Sequence, residues 1–113
     1  MKPRNFLLLA LPVTLLAACA APPASPEEGY ARRAAGAELV AKRCAGYAGG
    51  YEAVRELKND ASKNVATARE LGADNAMIDK ARTDVNGVFG MAEAFTSRQE
   101  ACNQMIGELA WVE

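Results

Sequence analysis

The chain has 113 residues, half of them apolar, and its 13 basic and 14 acidic side chains leave a formal charge of −1. This length indicates one small domain and excludes a multidomain enzyme or a membrane protein with many spans. The sequence contains no histidine, which is the commonest metal ligand and the commonest general base at neutral pH. Ser-His and Cys-His nucleophile pairs are therefore excluded.

The N-terminus has the pattern of a secretory signal peptide. Lys2 and Arg4 supply a basic start, and an apolar run from Phe6 to Ala17 follows. As a helix the run would rise about 18 Å, well short of the roughly 30 Å hydrocarbon core of a bilayer. The pattern therefore predicts export, with residues 1–18 as the signal peptide; the alternative is a buried N-terminal helix of a cytosolic domain.

The apolar run ends in Leu16-Ala17-Ala18-Cys19, which resembles the lipobox of bacterial lipoproteins. The resemblance implies a diacylglycerol joined to the Cys19 sulfur, cleavage before Cys19 and acylation of the new amino group. Three acyl chains anchor a protein stably, whereas one binds a membrane only marginally. Ala20 follows, where lipoproteins kept in the inner membrane of enteric bacteria have aspartate. The expected location is therefore the periplasmic face of the outer membrane.

Cleavage after residue 18 would leave 95 residues with a formal charge of −3, because two basic residues are lost. The basic doublets Arg32-Arg33 and Lys42-Arg43 lie near acidic residues, whereas binding to nucleic acid needs clustered basic groups. The predicted partners are the membrane, through the lipid on Cys19, and a protein of the cell envelope. No nucleic acid is expected.

Two cysteines remain once Cys19 is assigned to the lipid. In an exported and oxidising compartment, Cys44 and Cys102 favour a single disulfide. Closing so long a loop would stabilise the fold by about 4 kcal/mol on the chain-entropy account. The alternatives are two buried free thiols or half of a metal site, although two cysteines without histidine make a poor zinc site. No metal and no cofactor is predicted.

Small residues and prolines in residues 19–25 predict a short extended tether, and residues 26–113 are expected to form a helical domain. The first helix is predicted to begin after Ser25, because Pro26 suits the first turn and Glu28 completes a capping box. Apolar residues, mostly alanine, then recur at steps of three and four, which is the spacing of one helix face.

Further helices are predicted in chain order. The second runs from about Tyr51 to Leu71, the third restarts at Asp74 or Asn75, and a capping box at Ser97 begins the last. No segment alternates as a strand would, so the sequence predicts an all-α bundle of three or four helices linked by one disulfide.

The inward positions are predicted to be Tyr51, Val54, Leu57, Ala61, Val65 and Ala68, then Ile78, Ala81, Val85, Phe89, Ala92 and Phe95, then Cys102, Met105, Ile106 and Leu109. Gly87 and Gly90 would admit close helix packing or mark a kink.

Carboxylate pairs are the only candidates for catalysis, since glycosidases use two such groups. The pairs here share polar helix faces with basic neighbours, so solvated ion pairs are the simpler interpretation. The pairs are Glu52/Glu56, Glu56/Asp60 and Asp79/Asp84. No phosphate-binding motif and no calcium loop occurs in the sequence. We therefore predict no catalytic residues and a protein that is not an enzyme.

The predicted core is thin, because Leu, Ile, Val and Phe number only 14 of the 95 residues after cleavage. Such a composition makes a domain marginal unless a disulfide or a partner adds to it. Tyr47, Tyr51 and Trp111 are candidate partner-binding residues, because tyrosine and tryptophan often dominate interface energies. A disulfide between the two cysteines is expected to bring all three to one end. The alternative is that they pack the core.

A second pattern lies between Cys44 and Cys102. The stretch Ala68-Arg69-Glu70-Leu71-Gly72, followed by Ile78-Asp79, resembles a family of small secreted helical proteins of alphaproteobacteria that has no assigned function. The resemblance extends over about half of the chain that would remain after cleavage. It implies the same cysteine bridge and no activity, and it supports the fold only.

The sequence therefore predicts a lipid-anchored, protein-binding or scaffold subunit of an envelope complex. The alternative is an inhibitor or immunity-type protein that blocks a periplasmic enzyme, since such proteins are also small, anchored and disulfide-bonded. An inhibitor would bind one soluble enzyme tightly, whereas a subunit would co-purify with membrane machinery.

The Cys19→Ala substitution is expected to abolish both lipidation and cleavage at this site, because the sulfur that would carry the diacylglycerol is removed. Metabolic labelling with palmitate, followed by membrane fractionation, measures both effects. Equal labelling of the wild type and the variant would contradict the assignment.

Overall fold

The computed structural model describes residues 22–111, apart from the side chains of Ala110 and Trp111. The predicted signal peptide at 1–18 and the predicted lipid site at Cys19 lie outside the described residues. Within them the predicted all-α fold with one disulfide is confirmed. The elements are α1 (Pro26–Arg43), a short 3-10 turn (Ala45–Tyr47), α2 (Tyr51–Glu70), α3 (Asn75–Phe95) and α4 (Arg98–Trp111).

Helix α1 is the centre of the bundle and contacts each of the other three helices. The four consecutive residues 34–37 are all buried, so this turn of the helix is covered on every side. The sequence predicts that only one face of this helix is buried, whereas at this turn the whole circumference is buried. Alanine and glycine make this possible, because their small side chains let three helices pack around one axis. The buried residues of α1 are Ala31, Ala34, Ala35, Gly36, Ala37, Leu39, Val40 and Ala41.

Ion pairs and core contacts fix the directions of the helices around α1. Helix α3 runs parallel to α1, because Arg82 pairs with Glu38 and Glu93 pairs with Arg43 further along both helices. Helix α4 runs antiparallel to α1: it begins near Cys44, and its Leu109 lies against Gly36. Helix α2 is also antiparallel to α1, since Ala68 near its end shares a core cluster with Ala31 near the start of α1. The end of the bundle where α1 ends and α4 begins is called the disulfide end below.

The helix starts lie where the capping signals predict them. The side-chain oxygens of Ser25, Asp74 and Ser97 accept hydrogen bonds from backbone N–H groups three residues later, at 3.4, 2.9 and 3.1 Å. Of the two residues predicted to restart the chain, Asp74 is the cap. Helix α2 ends at Glu70 with Leu71 as its C-cap, and the chain then turns at Gly72, whose φ of +111° favours glycine, with the Ala73 N–H bonded to the Ala68 carbonyl at 2.9 Å.

The core consists of two clusters that divide the bundle along its length. One cluster, at the disulfide end, contains both cysteines and the largest fully buried side chain, Phe89. The bond joins cysteines 58 residues apart, with their Cα atoms 5.5 Å from each other. The other cluster lies where α1 begins and consists of Ala31, Ala68, Ala73, Ile78 and Ala81.

Two residues predicted to face inward are exposed instead. Tyr51 is 78% exposed and Phe95 is 82% exposed, although both fit the helical spacing of the buried residues. Each is a terminal residue of its helix. Phe95 lies beyond Glu93, which pairs with the last residue of α1, so no residue of α1 remains to cover it. The prediction fails because helical spacing gives the face of a helix but not where its neighbours end.

The two glycines inside α3 do not mediate close helix packing. A Cβ atom placed on Gly87 or on Gly90 would meet no atom within 4 Å. Helix α3 is nevertheless continuous from Asn75 to Phe95. Both positions therefore have room for a larger side chain.

Replacing both Cys44 and Cys102 with alanine is expected to lower the free energy of unfolding by about 2–5 kcal/mol, because the unfolded chain is no longer closed into a loop. Urea titration followed by circular dichroism measures this loss. The wild type in dithiothreitol should lose a similar amount, and the double variant should not respond to the reductant. A wild type that is equally stable with and without reductant would contradict the prediction.

Candidate functional site

Both predicted tyrosines lie at the disulfide end and face solvent. Tyr47 belongs to the 3-10 turn and is 46% exposed, and Tyr51 opens α2. Gly49 and Gly50 separate them with φ values of +108° and +104°, which glycine adopts without strain. The alternative prediction, that these residues pack the core, is therefore wrong for Tyr51, whereas Tyr47 is half-buried at the edge of the bundle.

Phe95 is a third exposed aromatic residue at the disulfide end, although its spacing along the helix predicts an inward position. It ends α3, which runs parallel to α1 and so finishes at the same end of the bundle. The signal that could have identified it is its position two residues before the Ser97 cap, since terminal helix residues often extend past their neighbours.

Trp111 does not join the tyrosines. Its backbone closes α4, nine residues after Cys102, which corresponds to about 13 Å along the helix axis. Because α4 is antiparallel to α1, this displacement leads away from the disulfide end. The predicted three-residue cluster is therefore split, with Tyr47 and Tyr51 on one end and the Trp111 backbone toward the other. The side chain of Trp111 lies outside the described part of the chain.

A carboxylate at the disulfide end connects three helices. Glu93 of α3 accepts a hydrogen bond from Arg98 Nε of α4 at 2.6 Å and one from Arg43 Nη2 of α1 at 3.3 Å. The Arg43 guanidinium also lies 4.9 Å from the centre of the buried Phe89 ring. The hydrogen bond from Arg98, helped by the charges of Arg98 and Arg43, lowers the pKa of Glu93 below its ordinary value of 4.5. These contacts and the disulfide hold the exposed aromatic residues on a fixed frame.

The other half of the bundle contains a groove of about 1420 Å³ between α1, α3 and α4. This volume exceeds the roughly 300–1,000 Å³ of common small-molecule pockets. Val85, Val88 and Met91 of α3 line one side, and Met105 and Leu109 of α4 line the other. The groove is therefore long, open and largely apolar.

Two of the cations that line the groove form ion pairs with carboxylates. Arg32 Nη2 donates to Glu28 at 2.7 Å, and Lys80 Nζ donates to Asp84 at 2.7 Å. That bond to Asp84 raises the pKa of Lys80. The guanidinium of Arg33 lies 5.3 Å from the centre of the Tyr30 ring. Carboxylates thus neutralise Arg32 and Lys80, whereas Arg33 lies against an uncharged ring and keeps its positive charge at the groove.

The segment before α1 is fixed to the rim of the groove. The Ala24 N–H donates to Glu28 Oε2 at 2.9 Å, and this bond, ahead of the charge of Arg32, lowers the pKa of Glu28. The ring of Pro23 lies 3.5 Å from the position that a Cβ on Gly29 would take. The described end of the tether therefore follows the bundle surface.

Three of the five carboxylates weighed for catalysis, Glu52, Asp79 and Asp84, form ion pairs. Arg55 lies 3.7 Å from Glu52, and Arg82 donates to Asp79 at 3.3 Å while also bonding Glu38 through two nitrogens at 3.0 Å. Residues 22–111 contain no cluster of three or more acidic or cysteine side chains suited to a metal ion. Nor does this part of the chain contain a helix long and apolar enough to cross a membrane.

No known protein family, curated protein or solved structure matches the chain. The resemblances drawn from the sequence, to bacterial lipoproteins and to small secreted helical proteins of alphaproteobacteria, stay predictions. The class that the structure itself defines is an all-α four-helix bundle with one disulfide.

The Glu93→Gln substitution is expected to reduce the loss of stability in acid. A carboxyl group whose pKa is lowered by folding stabilises the fold above its ordinary pKa, and this contribution is lost as the pH falls through the lowered value. Thermal melts between about pH 6 and pH 3 should therefore show a smaller drop in Tm for Glu93→Gln than for the wild type. Glu56→Gln, at an exposed position of α2, is the matched control and should follow the wild type. Identical pH profiles for all three proteins would contradict the role given to Glu93.

Proposed function

We propose that this protein is anchored through acylated Cys19 at the periplasmic face of the outer membrane and acts by binding a protein partner. In support of this proposal, the tether and the exposed aromatic residues lie at opposite ends of the bundle. The tether joins α1 at Pro26, and the 18 residues of α1 separate that point from the disulfide end by about 27 Å. A partner at the disulfide end would therefore meet a surface that faces away from the anchor.

The exposure of three aromatic side chains at the disulfide end is the observation that carries this proposal. Tyr47, Tyr51 and Phe95 lie there in solvent, although the rest of the bundle is short of large apolar residues for its core. Exposed aromatic residues on a rigid frame are typical of interaction sites, because they bury a large area at a low cost in conformational entropy. The disulfide and the Glu93 contacts provide that frame.

The alternative function is inhibition of a soluble periplasmic enzyme, and it would use the same end. The exposed turn from Ala45 to Tyr47 and the glycines at 49 and 50 favour it, since a protruding turn can enter a cleft. The two functions predict that the partner is found in different cell fractions, either the membrane fraction or the soluble fraction. A scaffold subunit would be captured with membrane machinery, and an inhibitor with one soluble enzyme.

Tyr51→Ala and Phe95→Ala are each expected to weaken partner capture by about tenfold or more, the scale of an aromatic residue at the centre of an interface. Crosslinking in intact cells, followed by affinity capture and quantitative mass spectrometry, measures the loss. Both side chains are mostly exposed, so circular dichroism should show unchanged helix content and stability.

Leu71→Ala is the matched control, because Leu71 is a half-exposed apolar residue that caps the C-terminus of α2, at the opposite end of the bundle. Trp111→Ala should also leave capture unchanged, since its backbone lies toward that opposite end. Full capture by both disulfide-end variants, or equal losses in the controls, would refute the proposed binding surface.

A further inference from the structure

The proposed partner surface leaves the groove between α1, α3 and α4 without a role. Its α3 wall is an apolar helix face that no part of residues 22–111 covers: Val88 and Met91 are both half-exposed there. Across the groove, Met105 and Leu109 pack onto Gly36 of α1. An apolar face of this kind indicates an occupant, because water contacts with such side chains are unfavourable.

The chain itself leads to this groove. Pro22 and Pro23 form part of its edge, and the Ala24 N–H bond to Glu28 holds this edge in place. Cys19 precedes Pro22 by three residues, which span at most about 10 Å when fully extended. Any group attached to Cys19 therefore starts close to the groove and reaches it at a high effective concentration.

We propose that the groove holds one of the acyl chains attached to Cys19; this inference rests on the lipidation proposed above. The hydrocarbon tail of an acyl chain has no polar groups that need partners, which suits walls of valine, leucine and methionine. Met91 and Met105 are unbranched and flexible, so they can follow the shape of a hydrocarbon chain. An attached chain also competes better for the groove than a free ligand does, since its binding is intramolecular.

One chain in the groove leaves two acyl chains for the bilayer, and two chains are sufficient for stable anchoring. The bundle then sits with its groove end at the membrane surface. This orientation directs the disulfide end, with Tyr47, Tyr51 and Phe95, toward the periplasm. The same lipid that anchors the protein would also fix the direction in which its binding surface points.

A matched pair of glycines in α3 provides the test. Gly87 lines the groove and Gly90 does not, and a Cβ at either position would meet no atom within 4 Å. Gly87→Trp should project a large side chain from the groove wall, and Gly90→Trp places the same side chain on the same helix at a position that does not line the groove. Both changes remove a helix-weakening glycine, so neither is expected to unfold α3.

The full-length protein would be made in cells fed a palmitate analogue that carries a diazirine at its methyl end. After irradiation, mass spectrometry of the digested protein identifies peptides that are crosslinked through the acyl chains of Cys19. In the wild type, these chains are expected to link to peptides that contain Val88, Met91 or Met105. The links should be lost in Gly87→Trp and retained in Gly90→Trp.

Three results would overturn the proposal. Crosslinks that persist in Gly87→Trp would place the chain elsewhere on the bundle. Groove peptides labelled equally in Cys19→Ala would show that a membrane phospholipid occupies the groove instead. A wild type that carries acylated Cys19 but has no groove crosslinks would reject the groove site alone. Failure of lipidation is seen separately, as absence of the analogue from Cys19 before irradiation.

Discussion

The bond between Cys44 and Cys102 closes the bundle at the end where its largest core side chain lies. Both cysteines are completely buried beside Phe89, and the bond ties the end of α1 to the first turns of α4. The core is built mainly of alanine, so its burial removes little apolar area from water per residue. A disulfide between cysteines 58 residues apart restricts the conformations of the unfolded chain, and this offsets part of the stability that the small buried area does not provide. The frame for the exposed aromatic residues depends on this bond.

The high alanine content also allows α1 to lie at the centre of the bundle. Small side chains around its whole circumference let α2, α3 and α4 approach it together, and α2 and α3 make their most extensive contacts with α1, whereas α4 packs on both α1 and α3. Ion pairs then select the alignment. The two-nitrogen contact of Arg82 with Glu38 and the contacts of Glu93 with two arginines place α3 parallel to α1. Such partly exposed pairs contribute little stability each, so their main effect is on alignment.

The two ends of the bundle have different chemistry. At the disulfide end, aromatic side chains face solvent from a cross-linked frame. The tether at the other end lies along an apolar groove, where Arg32 and Lys80 form ion pairs with carboxylates. The proposals for the two ends support each other, because an acyl chain held in the groove would point the aromatic end away from the membrane. They can still fail separately, since one concerns protein capture and the other concerns lipid contacts.

Local sequence determined the helices of this protein. The caps at Ser25, Asp74 and Ser97, together with the glycine at 72, mark helix boundaries through hydrogen bonds within a few residues, so they can be identified without the fold. The pairing of Cys44 with Cys102 was predicted from the cysteine count and from the export that the N-terminal pattern predicts. The signals at the N-terminus, from which the lipid anchor is predicted, are likewise contained in a short stretch of sequence.

Only the tertiary structure decided which residues of those helices are covered. Tyr51 and Phe95 fit the buried spacing but are exposed, because each terminates its helix where the neighbouring helices have ended. The antiparallel direction of α4 separates the Trp111 backbone from Tyr47, and the arrangement of α1, α3 and α4 opens the groove. Periodicity reports the face of a helix, whereas exposure at its ends depends on the relative lengths, directions and offsets of helices that are distant in sequence.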